Sequence, residues 1–228
     1  MFTATLFDYN GVLVDDEAVH LAAFRDVLSE LGIEISDAEY VERYLGFDDV
    51  GAFRAILQDR GRAPGDADVA ALVDAKRPLY LERAKGALRG FPGAAELMRR
   101  RAAVGPVAIV SGALRHEIHL GLDLLGVRDL VRAVVSAEDA RRSKPDPEGY
   151  LLGLDALSLS NARDQCVVIE DSLAGVESAK AASLACVAVG HSYPLDDLRA
   201  AGADLVVSNL DAITEEALGS LFERHRTR

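Results

Sequence analysis

Ala4-Thr5-Leu6-Phe7-Asp8-Tyr9-Asn10-Gly11 decides how the rest of the chain is read. A strand-length apolar run, interrupted only by a threonine, passes directly into an acid, an amide and a glycine. Such a run predicts a strand, and Asn-Gly predicts a turn at its carboxyl end. Working outward, further short runs occupy residues 107–110, 133–135, 167–169, 187–189 and 205–207, most of them carrying Val or Ile. The intervals between them repeat at helical spacing, as over 113–125 and 173–182. Strands alternating with helices predict an α/β fold with a parallel sheet covered on both faces.

One interval breaks the alternation. From about residue 15 to about residue 88 no strand-like run occurs, and the apolar positions fall at helical spacing. Leu21, Phe24, Leu28 and Leu31 mark one amphipathic helix ended by Gly32; Phe53, Ile56 and Leu57 mark another ended near Gly61; a third runs over 66–85. The expectation is an all-helical cap at 15–88 inserted between residues 1–14 and 89–228 of the core, with Gly90-Phe91-Pro92-Gly93 marking the return.

Composition narrows the function classes. Lys and Arg number 25 against 37 Asp and Glu, a formal charge of -12 that repels nucleic acid and anionic membranes at long range. An anionic substrate must then meet a local positive site. Cys166 and Cys186 lie in apolar runs without metal-ligand spacing and read as buried, reduced side chains. Met1 leads straight into the first strand with no basic region or long apolar segment, which reads as cytoplasmic and soluble. The expected assembly is a monomer or a weak homodimer. The acidic stretch at 210–221 reads as a tail helix, and the basic end at 224–228 as a solvated terminus.

Open parallel sheets bind ligands at the carboxyl ends of their strands. Four such ends are polar here: Asp8-Tyr9-Asn10-Gly11, Ser111-Gly112, Ser143-Lys144-Pro145-Asp146, and Glu170-Asp171-Ser172. Each alone has a structural explanation as a turn, a helix cap or a surface loop. Together, in this order, they supply an acid nucleophile, three carboxylates that a magnesium ion would reconcile, a hydroxyl and backbone N–H for phosphate oxygens, and a lysine to offset transition-state charge.

These four segments, Phe7 to Asp15 followed by His20, Ile109 to Gly112, Lys144 to Pro147, and Ile169 to Val176 with Ala179, resemble the beta-phosphoglucomutase and phosphatase branch of the haloacid dehalogenase superfamily across essentially the whole chain. The resemblance implies a Rossmann-like three-layer core with an inserted helical cap. It implies magnesium held by Asp8, the Asn10 carbonyl and Asp171, with Glu170 in support. It implies phosphoryl transfer from a small phosphorylated metabolite through Asp8, assisted by Ser111 and Lys144, with Gly112, His20 and Lys76 toward the substrate.

Asn10 departs from that pattern, because relatives usually carry an acid/base Asp there. An amide cannot give and retake a proton, and such assistance is typically worth about a hundred- to ten-thousand-fold. The readings that compete are a slowed phosphatase, a phosphometabolite-binding protein without turnover, and a phosphomutase or phosphonate hydrolase variant with Lys76 as Schiff-base lysine. Deamidation at Asn10-Gly11 would restore an Asp. Gly46-Phe47-Asp48-Asp49 places two acids where mutase relatives carry an arginine, which disfavours a sugar bisphosphate.

Overall fold

The computed structural model describes residues 1–226; Thr227 and Arg228, the end of the basic terminus, lie outside the described residues. The chain divides into two compact units, one formed by Met1–Asp15 with Gly90–Arg228 and the other by Asp16–Arg89.

In chain order, β1 (Ala4–Phe7) and the two-residue β2 (Val14–Asp15) precede four helices, α1 (Glu17–Ser29), α2 (Asp37–Arg43), α3 (Asp49–Asp59) and α4 (Asp66–Ala87). The chain returns at β3 (Arg89–Gly90) and continues through α5 (Ala94–Val104), β4 (Val107–Val110), α6 (Arg115–Leu125), β5 (Val131–Val135) and α7 (Glu148–Ala156). It finishes with β6 (Cys166–Glu170), α8 (Leu173–Ala181), β7 (Ala185–Val189), α9 (Leu195–Ala200), β8 (Leu205–Val207) and α10 (Glu215–Arg226).

Six strands form one sheet in the order β5-β4-β1-β6-β7-β8, and every pairing is parallel. The fold is α/β and Rossmann-like. All residues of β1, β4, β6 and β7 are buried, as strands covered on both faces must be, and this is why they read as largely apolar runs, broken only by Thr5 in β1 and by Glu170 at the end of β6. β1 sits at the centre with Phe7 level with Ile109 on one side and Ile169 on the other. Parallel register therefore brings the residues after Phe7, Val110 and Ile169 to one edge of the sheet.

The 210–221 stretch is not one helix. A 3-10 turn at Leu210–Ala212 comes first, and α10 starts only at Glu215, after Thr214 Oγ1 has accepted the Ala217 N–H at 3.1 Å. In the helical unit, α1 and α3 stop where Gly32 (φ +67°) and Gly61 (φ +70°) enter the left-handed region, which glycine occupies without steric penalty. Phe24, Phe53, Ile56, Leu57, Val69 and Tyr80 pack this unit's own core. Among the described residues no helix is long and apolar enough to cross a membrane.

Candidate active site

The carboxyl edge of the sheet carries a buried cluster of charge. Asp8 follows β1, Glu170 ends β6 and Asp171 follows it, and one carboxylate oxygen from each lies within 4.8 Å of the others. Lys144, on the loop after β5 and before the cis Lys144-Pro145 peptide, brings the only ammonium into contact among the described residues. Its Nζ donates to Glu170 Oε1 at 2.7 Å and to the Val110 carbonyl at 3.1 Å, and forms an ion-pair contact with Asp8 Oδ1 at 2.8 Å, an oxygen that receives no hydrogen bond of good geometry.

Glu170 is fully enclosed and saturated. Oε1 accepts from Lys144 and from the Tyr150 hydroxyl at 2.8 Å; Oε2 accepts from the Asp171 N–H at 3.0 Å and from the Ser172 N–H and Oγ at 3.2 Å. Gly175, in the first turn of α8, has no side chain for a reason: a Cβ there would stand 1.9 Å from Glu170 Oε1. Ser172 also caps α8, accepting the Gly175 N–H. Asp8 and Asp171 are different, since each keeps a sliver of exposure, 7% and 4%.

Electrostatics follow from the count. Three carboxylates around one ammonium leave a formal charge of -2. Burial pushes the Asp8 carboxyl up to about 6, with Glu170 adding to the rise and Lys144 opposing it. Asp171 is raised well above the ordinary carboxylate value by burial and then by the charges of Glu170 and Asp8. Burial also pushes Glu170 up, but Lys144 and the hydrogen bonds it receives outweigh that, and it ends below the usual range. Lys144 is raised, because Asp8 and Glu170 overcome its burial. A hard divalent cation fits this donor set, which offers oxygen only and lacks two positive charges.

The remaining core residues named from sequence gather at the same edge. Asn10 is half-buried, and its Oδ1 accepts from Ser111 Oγ at 3.2 Å. Ser111 Oγ also takes the Ala113 N–H, and exposed Gly112 follows it at the β4 end. The Gly11 N–H, which would have to attack the Asn10 amide in deamidation, instead donates to the Val14 carbonyl at 2.9 Å. That restraint disfavours the cyclisation.

His20 and Lys76 are not in this cluster; they meet each other within the helical unit. Lys76 is fully buried, its Nζ in short contact with Asp49 Oδ1, 2.7 Å from His20 Nδ1 and 4.3 Å from the centre of the Phe24 ring. An ammonium only donates, so His20 Nδ1 accepts and its Nε2–H faces Asp16 Oδ2 at 3.2 Å. Tyr80 donates to the same Asp16 oxygen at 2.6 Å.

Sequence reasoning missed Tyr150, which helps hold Glu170, and the segment after β7. There the Ser192 hydroxyl is in short contact with Asp171 Oδ2, and His191 Nδ1 lies 2.8 Å from the Gly11 carbonyl. The strand-end rule that found the other four segments, applied after the 187–189 run, would have found this one.

The matches to known proteins agree with this geometry. The family model of the haloacid dehalogenase-like hydrolases matches residues 2–183. Protein CbbY of Rhodobacter capsulatus is 31% identical over 225 residues, covering 96% of this chain and 98% of that protein. Hexitol phosphatase B of Escherichia coli K12 is 29% identical over 221 residues, with 94% and 96% covered. Protein SUPPRESSOR OF QUENCHING 1, chloroplastic, of Arabidopsis thaliana is 31% identical over 217 residues, 93% of this chain, but the chain spans only 20% of its length. Among solved structures, beta-phosphoglucomutase from Clostridium difficile superposes with a TM-score of 0.87 at 22% identity over all of both chains. With the family model spanning most of the chain and the acidic cluster standing at the carboxyl edge of a parallel sheet, the protein belongs to the haloacid dehalogenase-like hydrolases.

Proposed function

We propose that the chain is a magnesium-dependent phosphatase acting on a small phosphorylated metabolite, with Asp8 as nucleophile. The observation that carries this is the buried Asp8, Glu170, Asp171 and Lys144 cluster with its formal deficit of two charges. Asp8, the Asn10 carbonyl and Asp171 would hold the ion, and saturated Glu170 organises Lys144 rather than ligating. Bound there, magnesium compensates the carboxylates and the incoming phosphoryl oxygens.

In the reading we favour, an Asp8 carboxylate oxygen attacks phosphorus as the P–O bond to the leaving group breaks, giving an aspartyl phosphate. Lys144 and Ser111 offset charge on the transferring oxygens. Water then attacks the same phosphorus and releases Asp8. Asn10 cannot protonate the leaving alkoxide or take a proton from that water, so both half-reactions lose an acid/base partner and esters with good leaving groups suffer least. The similarity to hexitol phosphatase B supports a phosphorylated polyol as substrate class. The helical unit would carry selectivity, and the cytoplasm is the expected compartment.

Asn10 itself favours a second reading, a protein that binds a phosphometabolite without turning it over. The Schiff-base variant gains no support, because Lys76 is fully buried with its Nζ held against Asp49 and His20. The two acids of Gly46-Phe47-Asp48-Asp49, where mutase relatives carry an arginine, favour a hydrolase over a bisphosphate mutase.

Hydrolysis of an activated aryl phosphate by the native protein, Asp8→Ala and Asn10→Asp, with and without magnesium, tests the assignment. Magnesium-dependent turnover lost in Asp8→Ala and raised in Asn10→Asp supports the slowed phosphatase. Turnover only in Asn10→Asp supports the binding protein.

A further inference from the structure

The segment after β7 has no assigned role, yet it touches both halves of the acidic edge. Ser192 Oγ is within hydrogen-bonding reach of Asp171 Oδ2, and a carboxylate can only accept, so the hydroxyl donates. Ser192 does not serve as a helix cap: α9 begins at Leu195 behind Pro194 with no side-chain cap. His191 Nδ1 stands 2.8 Å from the Gly11 carbonyl, so Nδ1 carries the proton. Its ring stacks on Phe91 with centroids 3.9 Å apart and planes 12° from parallel, which fixes the direction of that N–H.

Gly11 closes the arrangement. It lies in the left-handed region (φ +73°), and a Cβ there would fall 1.9 Å from Asp171 Oδ2 and 2.9 Å from Ser192 Oγ. The Asn10-Gly11 turn is thus pressed against the carboxylate that Ser192 holds, and His191 grips the peptide carbonyl one residue after Asn10.

We propose that His191 and Ser192 are positioning residues of the cation site, Ser192 aiming the Asp171 carboxylate and His191 fixing the turn that presents the Asn10 carbonyl. This rests on the reading of Asp8, Asn10 and Asp171 as the ligands. Partners that orient metal ligands typically account for about ten- to a hundred-fold in metal affinity, whereas a purely structural contact moves stability and leaves affinity alone.

The test is calorimetric titration of magnesium chloride into the full chain, previously stripped with EDTA and dialysed, for the native protein, Ser192→Ala, Ser192→Thr, His191→Phe and Asp171→Ala. Thermal melts in EDTA confirm that each variant is folded. Ser192→Ala should weaken magnesium binding by about tenfold or more, and Ser192→Thr, which keeps the hydroxyl, should restore it. His191→Phe, which keeps the stacking and loses the donor, should weaken it several-fold. Native-like affinity in both Ser192→Ala and His191→Phe, with binding abolished in Asp171→Ala, overturns the proposal and leaves the ligand assignment standing. No magnesium binding by the native protein overturns both.

Discussion

The molecule buries two clusters of charge, and they are built to opposite ends. At the sheet edge, Asp8, Glu170 and Asp171 share the single ammonium of Lys144, and two of the three carboxyls are pushed well above their ordinary values. In the helical unit, Lys76 has its own carboxylate in Asp49, while the second carboxylate, Asp16, receives neutral donors from His20 and Tyr80. Both are buried carboxylate and lysine networks, and composition alone would not tell them apart. What separates the proposed reactive site from an internal brace here is the size of the formal charge deficit: three carboxylates share one ammonium in the first cluster, whereas two, Asp16 and Asp49, stand around one in the second.

If the contrast holds, three substitutions and one change of pH should have distinct effects. Asp8→Ala should lower kcat on an aryl phosphate by about a thousand-fold or more, since it removes the proposed nucleophile. Stopped-flow or endpoint assays detect that directly, and retention of turnover would end the comparison. Asn10→Asp should raise steady-state hydrolysis of an aryl phosphate by about a hundred-fold, because it restores a base for the water that attacks the aspartyl phosphate, and that of an alkyl phosphate by at least as much, because the alkyl leaving group also needs a proton.

Lys76→Met should destabilise the protein by on the order of 3 kcal/mol in urea denaturation, because it leaves the partly buried Asp49 without its lysine. Replacing Asp49 by Leu in the same chain should recover much of the loss. If Lys76→Met were silent in stability, the second cluster would not be a brace.

The smallest effect concerns pH. In EDTA, Asp8 is pushed up to about 6 from an ordinary value near 3.8, so the folded protein binds its proton more tightly than the unfolded chain. Its stabilising contribution is present below about pH 4 and is lost as pH rises through about 6, with Asp171 acting in the same sense. Glu170, held below the usual carboxylate value, acts oppositely and only in more acid solution. The melting temperature in EDTA should fall across that window, and magnesium should reverse the fall by binding the ionised carboxylates.

Much of the fold was legible because strands buried on both faces leave unbroken apolar runs, as at 107–110, and because glycines such as Gly32 and Gly61 punctuate the helices. α2 was not legible, since seven residues with Tyr40 as their one buried side chain carry too little periodicity. The 210–221 misreading came from taking acidic residues near Leu210 as the start of a helix that waits for the Thr214 cap. Asp8, Ser111, Lys144, Glu170 and Asp171 were found through their order at strand ends. Sequence could not show that Glu170 is saturated while Asp8 and Asp171 are not, nor that Lys76 pairs with Asp49, because those facts depend on side chains brought together from distant positions.

A pre-steady-state assay with an aryl phosphate tests the central claim most directly, with acid-quenched samples digested and the Asp8 peptide examined by mass spectrometry. If Asp8 is the nucleophile and Asn10 fails to activate water, release of the first equivalent of aryl alcohol should be fast, a slow steady state should follow, and a phosphoryl adduct should accumulate on Asp8. Linear turnover with no adduct on that peptide, continuing unchanged in Asp8→Ala, would contradict the account.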